Sequence, residues 1–245
     1  MSAPLPRRLL AEFLGSAFLA ALVIGSGIAA QRLTPDDTGL QLLYNSAATA
    51  AGLFAIILMF GPVSGGHLNP VVSLVDAAFG GLSRRDAAAY VPAQIAGCIT
   101  GAVAANVMFA LSAISISDDH RASPAHLLAE VIATLGLLLV IFALARSGRV
   151  STAPAAVGAY IGAAYWFTSS TSFANPAISV GRMFSDTFAG IAPASVPSFA
   201  VAQLVGGAVA IGVLRVLYPG VGPKATADVV VPHDGIAQRA IASPR

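Results

Sequence analysis

Charge is what this chain lacks most. Only 10% of its residues are Asp, Glu, Lys or Arg, against about 25% in a typical soluble domain. Thirteen basic and 11 acidic side chains are too few to cover a soluble globule of 245 residues. Cysteine is nearly absent: Cys98 stands alone, which excludes a disulfide framework and a cysteine-ligated metal cluster. The net charge of +2 gives no footprint for nucleic acid, so no such partner is expected. The four histidines have no ligand-like spacing, and there is no glycine-rich phosphate loop and no nucleophile elbow. Neither enzyme activity, ATP drive nor a cofactor is expected. What is present is apolar: 56% of the residues are hydrophobic, and 24 Gly and 15 Pro lie mostly inside apolar stretches. That composition suits closely packed membrane helices and is the opposite of a disordered chain.

A helix needs about 20 mostly apolar residues to cross a bilayer. Six stretches qualify or nearly do: Leu9–Ala30, Leu40–Phe60, Asp86–Leu111, Ala125–Arg146, Thr152–Phe167 and Pro197–Tyr218. The fifth is the shortest. The first is too long, and carries Glu12 too early, for the apolar core of a cleaved signal peptide. Ten of the 13 basic residues fall on the side that holds both termini: Arg7, Arg8, Arg84, Arg85, Arg146, Arg149, Arg215, Lys224, Arg239 and Arg245. Arg32, Arg121 and Arg182 fall on the other. That asymmetry predicts cytoplasmic termini. The expected organisation is one membrane domain over residues 1–222, followed by a flexible cytoplasmic tail over 223–245.

Three features recur in order. Ala11-Glu12-Phe13-Leu14-Gly15 opens the first span, and Ala129-Glu130-Val131-Ile132 lies early in the fourth. Ser64-Gly65-Gly66-His67-Leu68-Asn69-Pro70-Val71 follows the second span, and Ser172-Phe173-Ala174-Asn175-Pro176-Ala177 follows the fifth. Gln94 in the third span is echoed by Gln203 in the sixth. Each half, about 7–115 and 122–218, holds three spans, so the halves lie in the membrane with opposite orientation. After each Asn-Pro comes an apolar stretch too short to span, Val71–Gly80 and Ala177–Gly190. Asn is a favoured helix N-cap and Pro suits the first turn. Each Asn-Pro therefore starts a half-helix, and the two meet near the bilayer midplane. Irregular backbone at that depth is tolerated only against protein or a water-filled cavity, which implies a pore.

On these residues the chain resembles the major intrinsic proteins, the aquaporins and aquaglyceroporins, over about residues 7 to 218. The segment Ser172–Gly190 looks most like a bacterial branch often associated with arsenic resistance. The resemblance implies an all-α membrane fold, six transmembrane helices plus two re-entrant half-helices in an inverted repeat. It also implies a homotetramer, with one pore per subunit, in a bacterial inner membrane.

Asn69 and Asn175 are then the expected midplane donors, with Pro70, Val71, Pro176 and Ala177 completing the two motifs. Val71 stands where the family usually has alanine, and its methyls are expected to alter packing where the motifs meet. Glu12 and Glu130 are intramembrane acids, which can relay protons or accept hydrogen bonds from loop N–H groups. The second role is favoured because irregular loops have donors to satisfy. Gln94 and Gln203 are assigned to the same loop support. His67, beside Gly65 and Gly66, is expected to line the pore, with a pH gate as its alternative role. The family's filter arginine is replaced by Ile178. Family spacing puts the other filter positions at Thr49, at Ala163 or Ala164, and at Ser172 or Phe173. Arg182, one turn beyond Ile178, either restores positive charge at a wider mouth or pairs with Asp186.

The function these features imply is passive passage of small neutral solutes: glycerol-like polyols, undissociated metalloid acids such as arsenous acid, and water. An ordinary water channel and a proton-coupled transporter using Glu12 or Glu130 are the alternatives. A non-conducting scaffold predicts no flux. The topology is tested by cysteine labelling. Ser2→Cys and Ser243→Cys should resist a membrane-impermeant thiol reagent applied from the periplasmic side of intact cells, whereas labelling there would reverse the assigned orientation.

Overall fold

The computed structural model describes residues 3–219, and the expected tail over 223–245 lies outside them. Eight helices follow in chain order: α1 Leu5–Leu33, α2 Thr38–Ser64, α3 Pro70–Phe79, α4 Arg84–Met108, α5 Pro124–Arg146, α6 Ala153–Phe167, α7 Pro176–Arg182 and α8 Val196–Leu217. No strand occurs among the described residues. The starts follow local chemistry. The side chains of Asp37, Ser83 and Ser123 cap α2, α4 and α5 by accepting from Leu40, Asp86 and His126 N–H. Asn69 and Asn175 cap α3 and α7 with a proline at the first turn of each. Gly80, at φ 85°, ends α3 in the left-handed conformation that glycine adopts most easily.

Five helices are long and apolar enough to cross a membrane by length and composition: α1, α2, α4, α5, and α8 with the 3-10 turn before it. The fifth crossing is shorter. At 1.5 Å per residue the 15 residues of α6 reach about 22 Å, against about 30 Å of hydrocarbon. A 3-10 turn, Val150–Thr152, lengthens it at its start. The second half-helix is also shorter than its apolar stretch suggested, stopping at Arg182 instead of running to Gly190. The segment joining the two halves explains the stop. Ser117 N–H donates to Met183 O at 3.0 Å and Ser115 N–H to Phe184 O at 3.2 Å, satisfying carbonyls a longer helix would bond internally. Asn106 of α4 also donates to Phe184 O, at 2.8 Å.

The two halves pack alike. α1 lies against α4, and α5 against α8. Gly97 and Gly101 on α4 face the backbone carbonyls of Phe13 and Ala17 on α1, and Gly206 on α8 faces that of Val131 on α5. Small residues let membrane helices approach this closely, where packing rather than hydrophobicity drives association. Val71 is similarly housed. A Cβ at Gly207 would lie 2.7 Å from a Val71 methyl carbon, so the valine packs into space that this glycine of α8 leaves open. The expected disturbance between the two motifs is thus diverted toward α8.

Gly101→Ala should lower the thermal unfolding midpoint of the detergent-solubilised protein, because its Cβ meets main chain rather than a mobile side chain. Overpacking of this kind costs about 1–3 kcal/mol. Gly212→Ala, whose Cβ meets nothing within 4 Å, is the control. Equal midpoints for the two variants would contradict the close α1–α4 contact.

A lumen between two half-helices

The loops ahead of α3 and α7 have unusual backbones. Gly65, Gly66 and Leu68 have φ of 92°, 61° and 51°, and Thr171, Ser172 and Ala174 have 61°, 53° and 48°. A non-glycine residue in this region costs about 1–2 kcal/mol. Strain of that size persists only where surrounding contacts impose it.

A glutamate imposes it in each half. Glu12 is fully buried and accepts from His67 N–H at 3.0 Å and Leu68 N–H at 2.7 Å. Glu130, also fully buried, accepts from Phe173 N–H at 2.9 Å and Ala174 N–H at 2.8 Å. Gln94 donates to Glu12 at 2.7 Å and to Ser73 at 3.0 Å. Gln203 donates to Glu130 at 2.6 Å and to Ser179 at 3.2 Å. Ser73 and Ser179 were not singled out from the sequence, although each stands four residues after its asparagine.

The loops meet through their asparagines. Asn69 Nδ2 donates to Ala174 O and Asn175 Nδ2 to Leu68 O, both at 2.7 Å. Each Oδ1 meanwhile caps its own helix, accepting from Val71 and Ala177 N–H at 2.9 Å. The two helix N-termini therefore face one another across these reciprocal bonds.

A narrow cavity of about 60 Å³ runs past this meeting point. Gly66, His67, Asn69 and Asn175 line it, with aliphatic side chains such as Leu53, Val72 and Ile141 along its walls. Thr49, Ser172, Phe173, Ile178 and Arg182 also line it. Gly65 does not, serving instead as the left-handed end of α2.

Two sequence expectations change. The fifth-span wall residues are Val157, Ile161 and Tyr165, not Ala163 or Ala164. Ala163 points outward and is exposed, and Ala164 is buried away from the lumen. Counting by family spacing missed the tyrosine by one place. Its hydroxyl lies 3.2 Å from Thr49 Oγ1. Arg182 is not a loose residue at a wide mouth: it is 2% exposed and lies against Phe173, its guanidinium carbon 3.4 Å from the ring centre. Its Nε donates to Ala189 O, while Asp186 is exposed. Arg121, from the segment joining the halves, braces the same region by donating to Gly190 O at 2.8 Å and Phe188 O at 3.2 Å. Burial pulls its proton affinity down, opposed by Asp119 at 2.5 Å.

Known proteins resemble this chain in sequence and in fold. The sequence model of the major intrinsic proteins matches residues 1–184. "Aquaglyceroporin AqpS" of Rhizobium meliloti (strain 1021) is 49% identical over 211 residues, covering 86% of this chain and 90% of the relative. A "Probable aquaporin TIP-type" of Medicago truncatula is 32% identical over 184 residues, covering 70% and 72%. The crystal structure of the aquaglyceroporin from Plasmodium falciparum superposes with a TM-score of 0.68 over 89% of this chain and 99% of that one, at 22% identity. With its paired Asn-Pro half-helices and a family match over most of its length, this chain belongs to the major intrinsic protein family.

Proposed function

We propose that the protein is a passive channel for water and small neutral hydroxylated solutes, including glycerol-like polyols and undissociated metalloid acids such as arsenous acid. The observation that carries this reading is the mixed polar and apolar lining of the lumen near α7. Phe173, Ile178 and the ring of Tyr165 are apolar, while Thr49, the Tyr165 hydroxyl and Arg182 are polar. A polyol has both hydrocarbon and hydroxyl surface, and a lining that offers both apolar contact and polar groups suits it. Ile178 is shorter than arginine and offers no donor.

Asn69 and Asn175 are the proposed midplane donors. Each amide uses one N–H on a loop carbonyl, and its second N–H is available to a passing oxygen. The facing helix N-termini add positive potential at the same point. Cations and protons meet a barrier there, while neutral hydroxylic molecules gain donors. Assembly as a homotetramer in a bacterial inner membrane, with both termini cytoplasmic, completes the proposal. Exposed apolar side chains such as Leu10, Phe18, Leu58 and Met59 support burial of those faces against lipid or neighbouring subunits. A water-selective pore is the second reading. It is favoured by Tyr165 and Arg182, which narrow and charge the lumen more than an alanine and an isoleucine would.

Stopped-flow permeabilities of proteoliposomes to water, glycerol and arsenous acid separate the two. All three should pass, without accumulation against a gradient and independently of any proton gradient. Ile178→Arg, at matched protein density, should reduce glycerol and arsenous acid permeability about tenfold more than water permeability, a difference of about 1.4 kcal/mol between barriers. A wild type that passes water and excludes glycerol would establish the second reading.

A further inference from the structure

The two half-helices carry a second matched pair of residues, of which the conduction mechanism above leaves Asp76 unused. Two residues before each asparagine and seven after it, the first half has His67 and Asp76 and the second has Phe173 and Arg182. In each half the two side chains meet. His67 Nε2 lies 3.6 Å from Asp76 Oδ2, and the Arg182 guanidinium lies on the Phe173 ring. Both charged residues are buried, Asp76 at 3% exposure and Arg182 at 2%. One register position therefore holds an acid behind the lumen-lining His67 in the first half and a base that itself lines the lumen in the second. A bare cation beside a cation-excluding pore reinforces it. A bare carboxylate would do the reverse.

We infer that His67 neutralises Asp76 by sharing a single proton with it, which makes this pair a charge-selectivity element on the α3 side of the lumen. The inference rests on the channel reading above and follows from counting hydrogens. His67 Nδ1 lies 3.1 Å from Ser73 Oγ. That hydroxyl accepts from Gln94 at 3.0 Å and has Asn69 O within 3.1 Å as acceptor for its own hydrogen. The second half repeats the arrangement with no histidine present: Ser179 accepts from Gln203 at 3.2 Å and donates to Asn175 O at 3.0 Å. The serine hydrogen is thus directed to the asparagine carbonyl in both halves. With the Ser73 hydrogen on Asn69 O, as the Ser179 hydrogen is on Asn175 O, Nδ1 is the donor to Ser73, which leaves Nε2 facing the carboxyl group.

A bare imidazole nitrogen against an ionised carboxylate would set lone pair against lone pair. One more proton, on Nε2 or on Oδ2, turns that repulsion into a hydrogen bond. Asp76 Oδ1 has no hydrogen-bond partner among the described residues, which a neutral or ion-paired carboxyl tolerates better than an isolated anion. The neighbouring groups do not supply the proton. Glu12, from α1, is engaged by two backbone N–H groups, Ser64 and Gln94. Tyr90, from α4, packs edge-on against the His67 ring and donates its own hydrogen to Ser64 O at 2.9 Å. Arg8, from α1, is held by Asp86 of α4 at 2.7 Å. From α5 and α8 the titratable groups are Glu130, engaged by the N–H groups of Phe173 and Ala174 and by Gln203, His126, bonded to Arg121 O, Arg146, engaged with Pro219 O, and Arg215, which is exposed.

Two measurements test the pair. In wild-type protein in bilayers, ¹⁵N spectra of the imidazoles should show His67 protonated at Nδ1, with His67→Gln giving the assignment. The shared proton should then appear either as an imidazolium or as a protonated-carboxyl infrared band lost in Asp76→Asn. A neutral Nε2–H imidazole beside an ionised carboxylate overturns the inference. Second, His67→Gln leaves the carboxylate without its partner and should raise potassium leak through proteoliposomes at least severalfold. The double variant His67→Gln/Asp76→Asn should return the leak to the wild-type level. No leak in the single variant, or a leak that the second substitution leaves in place, overturns it. The channel reading fails separately, if wild-type proteoliposomes pass neither water nor glycerol.

Discussion

Everything in this fold depends on holding two irregular loops at the depth of the bilayer midplane. An unpaired backbone N–H there costs several kcal/mol, because lipid offers it no partner. Each loop also carries residues in the left-handed region. A single glutamate answers both demands in each half. Its two oxygens accept consecutive N–H groups, and a glutamine amide ties the same carboxylate to a serine on the half-helix. Loop, long helix and half-helix are thus locked through one buried carboxyl group. The desolvation of such a group is large, and it is offset only because nearly every lone pair finds a donor.

The rest follows from that anchoring. With the loops fixed, the two asparagines can reach across and bond each other's loop carbonyls, which sets the half-helices end to end. The N-terminal dipoles then converge on one point. The wall on the α7 side is Thr49, Tyr165, Phe173, Ile178 and Arg182. The residues that build the loops are thus distinct from those that line this wall.

Much of this was legible in the sequence. The duplication announced itself because Asn-Pro, the early glutamate and the later glutamine recur in one order, and three spans per half can only be inverted. The roles of Glu12 and Glu130 followed from the donors that any loop at that depth must satisfy. Other parts were hidden for physical reasons. Whether Ala163, Ala164 or Tyr165 faces the lumen is a matter of one helical position, about 100° of rotation. Nothing in a uniformly apolar helix marks the inward face, since lipid and core are equally apolar. Arg182 was ambiguous because an arginine at a half-helix end can turn to solvent or fold back. Its burial depends on the Phe173 ring and the Ala189 carbonyl, one of them on a segment with no helical period. Asp76 passed unnoticed for a similar reason: its partner His67 is distant by helical count and meets it only because the loop doubles back along α3.

The central claim is that the reciprocal asparagines both hold the half-helices together and serve the solute. Asn175→Asp tests it most directly, because aspartate keeps the Oδ1 that caps α7 while replacing the amide donor with an acceptor. The account predicts a protein that elutes as wild type on size exclusion, conducts water and glycerol about tenfold or more slowly, and leaks cations. A folded Asn175→Asp protein with wild-type flux and wild-type ion exclusion would contradict it.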